Sequence, residues 1–136
     1  MMAWQKSTIL LITRALNLAS DCTLTYKRGA GAAVTQATNR TTGVTIHKNS
    51  GAITTNNASL GAELAAAFVV TNNKVNIGDV VLVSQRSGAI GVMTTVEVVA
   101  VANGSFTLSV MNGNAAAGVA ETGAIIVNFV VIKTSE

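Results

Sequence analysis

The sequence predicts an all-β protein, a jelly-roll-like or β-sandwich body behind an N-terminal arm, and three observations carry that expectation. Short valine-rich segments recur at close spacing between turn residues. Proline is absent, so turns rest on glycine and asparagine, which tolerate positive φ. The runs Val80-Val81-Leu82-Val83, Val98-Val99-Ala100-Val101 and Ile125-Ile126-Val127-Asn128-Phe129-Val130-Val131-Ile132 leave almost no face for water, whereas a strand half-buried in a monomer alternates. Strands of that kind need cover on two sides. A chain of 136 residues builds one core and not two ordinary ones, so the second cover is expected from another subunit.

The elements follow in order. Between Thr8 and Leu18 the apolar residues Ile9, Leu10, Leu11, Ile12, Ala15, Leu16 and Leu18 fit a short helix or a buried strand equally. Gly29-Ala30-Gly31-Ala32-Ala33 and the Thr/Gln/Asn stretch to Thr42 read as a linker or an extended arm. Residues 1–40 are therefore assigned to a basic arm or docking segment and 41–136 to the β body. Strands are expected near residues 44–47, 52–54, 66–71, 80–85, 93–101, 105–111 and 124–133. The sharpest local signal is Asn103-Gly104, which predicts a type I′ hairpin between the segments on either side of it. Residues 60–68, with Ala65-Ala66-Ala67, could be helical, but Phe68-Val69-Val70-Thr71 favours a strand there.

Charge is unevenly placed. Residues 1–48 carry Lys6, Arg14, Lys27, Arg28, Arg40 and Lys48 against Asp21 alone, while residues 49–136 carry three cations against five carboxylates. A basic first third on a slightly acidic remainder suggests an arm that meets an acidic surface. Nucleic acid is the weaker reading, because the charges are scattered and only Trp4 and Tyr26 in this region could stack on bases. Low overall charge, 11%, argues against a disordered chain. Lys6 followed by Ser7-Thr8-Ile9-Leu10-Leu11-Ile12 faintly mimics a secretion signal, but Arg14 interrupts it, and no removed signal is expected. No segment reaches the roughly 18 uninterrupted apolar residues of a membrane span.

Chemistry-bearing patterns are sparse. Cys22 is the only cysteine, which excludes an intrachain disulfide, and it is read as a small buried apolar residue. His47 is the only histidine, so a His cluster for a metal is unavailable and any nucleophile-histidine pair would rest on this ring at a strand end. The six carboxylates lie far apart in sequence and form neither a calcium loop nor an evident acid-base pair. Gly29-Ala30-Gly31 lacks the third glycine of a dinucleotide fingerprint, with Val34 in its place. No catalysis, cofactor or metal is expected. Asn39-Arg40-Thr41, Asn57-Ala58-Ser59 and Asn103-Gly104-Ser105 match the glycosylation triplet, as chance allows in so Asn/Thr/Ser-rich a chain.

A resemblance adds to this reading. Thr41-Thr42-Gly43-Val44-Thr45-Ile46-His47-Lys48-Asn49-Ser50-Gly51-Ala52-Ile53-Thr54 resembles the opening of a small β module of tailed-bacteriophage virion proteins. Val69-Val70-Thr71-Asn72-Asn73-Lys74-Val75 with Gly78-Asp79-Val80-Val81-Leu82-Val83 is similar to its middle. Val99-Ala100-Val101-Ala102-Asn103-Gly104-Ser105-Phe106 and the run from Ile126 to Lys133 are similar to its end. The likeness covers about residues 41 to 133, and its specificity lies in the order of short motifs. It implies a head decoration (cement) protein, or a related head-fibre or tail-associated module, commonly a homotrimer, with a structural role in the virion and assembly in the host cytoplasm.

Decoration is the preferred function, with the major capsid protein and sister copies as partners. Lys6, Arg14, Lys27, Arg28 and Arg40 are the expected docking cations. Val81, Val83, Val98, Phe106, Phe129 and Val131 are expected in the core or at the subunit interface. A fibre or tail module that binds a receptor or glycan is the alternative, weakened by the absence of a heptad or shaft repeat and by few aromatics. An enzyme acting on polysaccharide would need His47 or a carboxylate pair in a cleft, and a nucleic-acid-binding role would show a steep salt slope.

Overall fold

Glycine and asparagine turns divide the described residues into eight strands. In this computed structural model, which describes residues 26–27, 30–116 and 118–134, they are β1 Gly31–Thr35, β2 Val44–Thr45, β3 Ser50–Thr54, β4 Ala65–Thr71, β5 Val80–Ser87, β6 Thr94–Ala102, β7 Ser105–Asn112 and β8 Ile126–Ile132. One sheet has the order β1-β3-β8-β5 and the other β2-β4-β7-β6, and the two pack face to face as a β-sandwich. Each sheet carries a parallel edge pair, β1 with β3 and β2 with β4, which sets the fold apart from an all-antiparallel jelly roll.

One expectation is corrected. Residues 31–35, read as part of an arm, form β1 in register with β3, so the body begins near Gly31 and not at 41. Their Gly/Ala content concealed an edge strand that has little to bury. The strand favoured at residues 66–71 is present as β4, where Ala65 to Thr71 alternate outward and inward, and residues 60–68 contain no helix.

The alternation fills the space between the sheets. Val70, Leu108 and Val110 from one sheet meet Ile53, Val127, Phe129 and Val131 from the other, all nearly inaccessible to water. Phe106 and Phe129 join the layers with ring centroids 5.4 Å apart and planes tilted by 48°, a favourable aromatic geometry. Each buried aliphatic or aromatic side chain of this kind contributes about 1.5–3 kcal/mol. Val81 is also buried, whereas Val83 and Val98 are half-buried against the same core.

The run Val98-Val99-Ala100-Val101 has a local cause. A bulge between Val98 and Ala100 shifts the phase of β6, so Val98 and Val101 both face the core side while Val99 and Ala100 face outward. A second bulge between Gln85 and Ser87 places Arg86 as an extra residue in β5. These strands are sheet edges, and a bulge with a nearby charge, Arg86 or Glu97, discourages pairing with another chain.

Side-chain amides do the work that proline would do in the turns. Asn72 donates to the Lys48 carbonyl at 2.7 Å and accepts from the Lys74 N–H at 3.0 Å, and Asn112 donates to the carbonyls of Leu60 and Val119. The Asn103-Gly104 turn joins β6 to β7 as expected, but only Gly104 has positive φ, so it is not type I′. The turn is docked on residues 72–77 through Asn72 N–H to Gly104 O, Gly104 N–H to Val75 O and Ile77 N–H to the Asn103 side chain. Those tertiary bonds select the backbone.

Gly88 and Gly104 separate two costs. Both have positive φ, but a Cβ on Gly104 meets nothing, whereas one on Gly88 would lie 2.0 Å from the Ala124 carbonyl oxygen. In urea unfolding, Gly104→Ala is expected to cost about 1 kcal/mol from the backbone alone. Gly88→Ala is expected to cost about 3 kcal/mol or more, because the clash is with main chain. Equal losses would contradict the close approach.

Candidate functional site

Strand directions sort the surface into two ends. The starts of β3, β5 and β7 and the ends of β2, β4, β6 and β8 share one end, and they bring His47, Lys48, Lys74 and Lys133 together from distant parts of the sequence. The contacts tie this end tightly. Lys133 Nζ pairs with the Asp79 carboxylate and donates to the Lys74 carbonyl at 3.0 Å, and the Asn73 N–H donates to His47 Nδ1 at 3.1 Å. The Lys133 ammonium, with the Asn76 N–H, holds the Asp79 carboxyl below its ordinary pKa. Here too the Tyr26 hydroxyl donates to the Val131 carbonyl, so Lys27 belongs to the same end.

The opposite end is largely apolar, with Glu63 as an exposed carboxylate beside Leu64. Ile90, Val92 and Met93 in the β5–β6 loop, Leu64 before β4 and Val119 before β8 are all exposed, Val92 to 93%. Backbone bonds hold these loops side by side, from Gly113 N–H to Met93 O and from Asn112 N–H to Leu64 O.

Glu121 builds that tip. Its side chain is 0% exposed and its carboxylate accepts from the N–H groups of Ile90 (3.0 Å), Gly91 (2.8 Å) and Gly123 (2.6 Å) and from the Thr94 hydroxyl. Burial opposes its ionisation, but the Thr94, Ile90, Gly123 and Gly91 donors outweigh burial and lower its pKa to about 2. Arg40, 3% exposed, lies behind it, with Nε on the Ala58 carbonyl and Nη2 on the carbonyls of Glu121 (3.1 Å) and Gly123 (2.9 Å). Burial lowers the Arg40 pKa and the Glu121 charge opposes that.

Arg40 is therefore corrected from docking cation to buried structural clamp. Of the other docking candidates, Lys27 is exposed at the cationic end, while Lys6, Arg14 and Arg28 lie outside the described residues. Lys48, Lys74 and Lys133 were not picked out as docking residues from sequence, because only the strand pairing, and no local pattern, brings them to one end. Glu121 carries no motif; its one signal is a single carboxylate within an Ala/Gly/Ile stretch. His47 stands at a turn, and among the described residues no three His, Cys, Asp or Glu residues are grouped as metal ligands would be.

The outer faces of the sandwich carry little charge. On the β1-β3-β8-β5 sheet the outward rows are Val80 beside Ile132, Leu82 beside Val130 and Ser50, and Ser84 beside Asn128 and Ala52. Val80, Leu82 and Ile132 are 44%, 51% and 46% exposed. This is where the two-faced runs of β5 and β8 show their second apolar face. Fold and surface together define a β-sandwich with a cationic end, a largely apolar tip and flanks that carry little charge. The chain matches no protein family, no curated protein and no solved structure.

Proposed function

We propose that this chain is a structural, non-catalytic subunit of a tailed-phage virion, a capsid decoration protein that forms a homotrimer and attaches to the outer surface of the head. The observation that carries the reading is the gathering of Lys27, Lys48, Lys74 and Lys133 at one end of a body whose flanks are nearly uncharged. The basic residues Lys6, Arg14 and Arg28 precede or adjoin that end in the chain. An acidic coat surface is the complementary partner, and many copies on a shell add avidity.

The test is co-sedimentation of purified protein with undecorated heads across a salt series. Binding is expected to saturate at one trimer per threefold position and to weaken as salt rises, because exposed charges are screened beyond about 8–10 Å at physiological strength. The double variant Lys27→Glu/Lys74→Glu alters exposed side chains and is expected to bind about tenfold or more weakly at low salt, with unchanged circular dichroism. Wild-type protein that ignores heads at every salt concentration would reject the role. A second reading, a fibre or tail-associated receptor-binding module, is favoured by the apolar tip around Val92, which faces away from the cationic end. In that case Val92→Ser would reduce attachment to cells and leave head binding intact.

A further inference from the structure

The structure assigns Asn103, in the turn between β6 and β7 at the cationic end, as a site of spontaneous covalent modification that converts its side-chain amide to a carboxylate. The step consumes only water. The Gly104 nitrogen bonds to the Asn103 Cγ, the Cγ–Nδ2 bond breaks, and the leaving nitrogen takes the Gly104 amide proton and departs as ammonia. Water then opens the five-membered imide at either carbonyl, which yields aspartate or, with the main chain rerouted through the side chain, isoaspartate. A side chain on the following residue crowds the attacking nitrogen, so glycine there favours the reaction. Two asparagines of the chain precede glycine, Asn103 and Asn112.

The fold decides between them. Asn103 is exposed, and among the described residues no acceptor holds its Nδ2, the atom that must leave. Its Oδ1 accepts the Ile77 N–H at 2.9 Å, which draws electrons from Cγ and stabilises the negative charge that develops on that oxygen under attack. The surroundings of Gly104 are open as well, since nothing lies within 4 Å of where a Cβ would stand. One restraint opposes the step: the Gly104 N–H donates to the Val75 carbonyl at 2.9 Å and must let go first. Breaking it takes only a local opening of an exposed turn. Asn112 is 1% exposed, its Nδ2 bonds the carbonyls of Leu60 (3.0 Å) and Val119 (2.9 Å), its Oδ1 accepts the Asn114 N–H, and the Gly113 N–H is tied to the Met93 carbonyl. Three side-chain bonds and burial must be lost there, so the reaction favours Asn103 by about tenfold or more. Each conversion adds one negative charge to the end that gathers Lys27, Lys48, Lys74 and Lys133, which the proposed decoration role uses for docking. That consequence rests on the proposed role; the chemistry at Asn103 does not.

Peptide mapping by mass spectrometry tests this on the full chain stored in mildly alkaline buffer, which favours loss of the Gly104 amide proton, with the same chain in concentrated urea as reference. In the folded protein Asn103 is expected to convert about tenfold or more faster than Asn112, and in urea both should convert at similar rates, faster than either does in the fold. The product should leave a cation exchanger ahead of fresh protein, at the position of an Asn103→Asp variant. Asn103→Ser, with circular dichroism matching wild type, should yield no such species. Conversion of Asn112 first, equal rates at the two positions in the folded protein, or an acidic species that persists in Asn103→Ser would overturn the assignment. So would a folded chain still unmodified at Asn103 when the chain in urea has converted completely. None of these readouts depends on head binding.

Discussion

Glu121→Ala is expected to destabilise the protein by about 3–5 kcal/mol in urea unfolding at neutral pH, because it removes one side of a buried charge cluster and leaves donors unpaired. The N–H groups of Ile90, Gly91 and Gly123 and the Thr94 hydroxyl all lose their acceptor, and the Arg40 guanidinium loses the nearby negative charge. Glu121→Gln keeps the shape but offers one oxygen and an NH₂ group where four donors converge, so it should lose most of the same stability. The pH dependence identifies the charge. The folded pKa of about 2 lies below the ordinary value of 4.5, so the unfolded chain binds the proton first as pH falls. The contribution, on the order of 2 kcal/mol, is complete well above pH 4.5 and lost as pH drops through that value toward 2. Asp79 titrates in the same direction, so the difference between wild type and Glu121→Gln at each pH is the proper measure. That difference should shrink between pH 6 and pH 2.5. A difference independent of pH would mean that the ionised carboxylate is not what holds the tip.

The same residues show what could be read from sequence and what could not. The core strands were legible because Val/Ile runs between Asn and Gly turns have one physical meaning, and Val81, Phe106, Phe129 and Val131 do point between the sheets. β1 was illegible because Gly31-Ala32-Ala33 has no apolar face to announce; its pairing to β3 is set by main-chain bonds. The double-faced appearance of Val98 to Val101 was legible only as an anomaly. A bulge changes phase without changing composition, so period-2 reasoning assigns to a partner subunit what Val99 owes to one extra residue. In β5 and β8 the runs are two-faced as read, since Leu82 and Ile132 do present a second apolar face. Polar clusters were the least legible of all. The Glu121 site draws on Ile90, Gly91, Thr94 and Gly123, and Arg40 reaches it across about eighty positions of sequence, so no local window contains the pattern.

That distance in sequence is also why Arg40 offers the sharpest separation of stability from docking. Arg40→Ala is expected to cost about 3–5 kcal/mol, since the guanidinium satisfies the carbonyls of Ala58, Glu121 and Gly123 at once and leaves with a buried cavity. Arg40→Lys should recover only part of this, because one ammonium cannot reproduce a planar fork that reaches carbonyls in two separate loops. Lys27→Ala, at an exposed position, should stay within about 0.5 kcal/mol of wild type. On the proposed decoration role, head binding should show the reverse order: folded Arg40→Lys, measured well below its unfolding midpoint, binds as wild type does with the same salt slope, while Lys27→Ala binds more weakly and with a shallower slope. The contrast follows from position alone, since both residues are cations of the basic first third of the chain and only one faces water. An Arg40→Lys protein of wild-type stability that loses head binding would return Arg40 to the docking surface and remove the clamp.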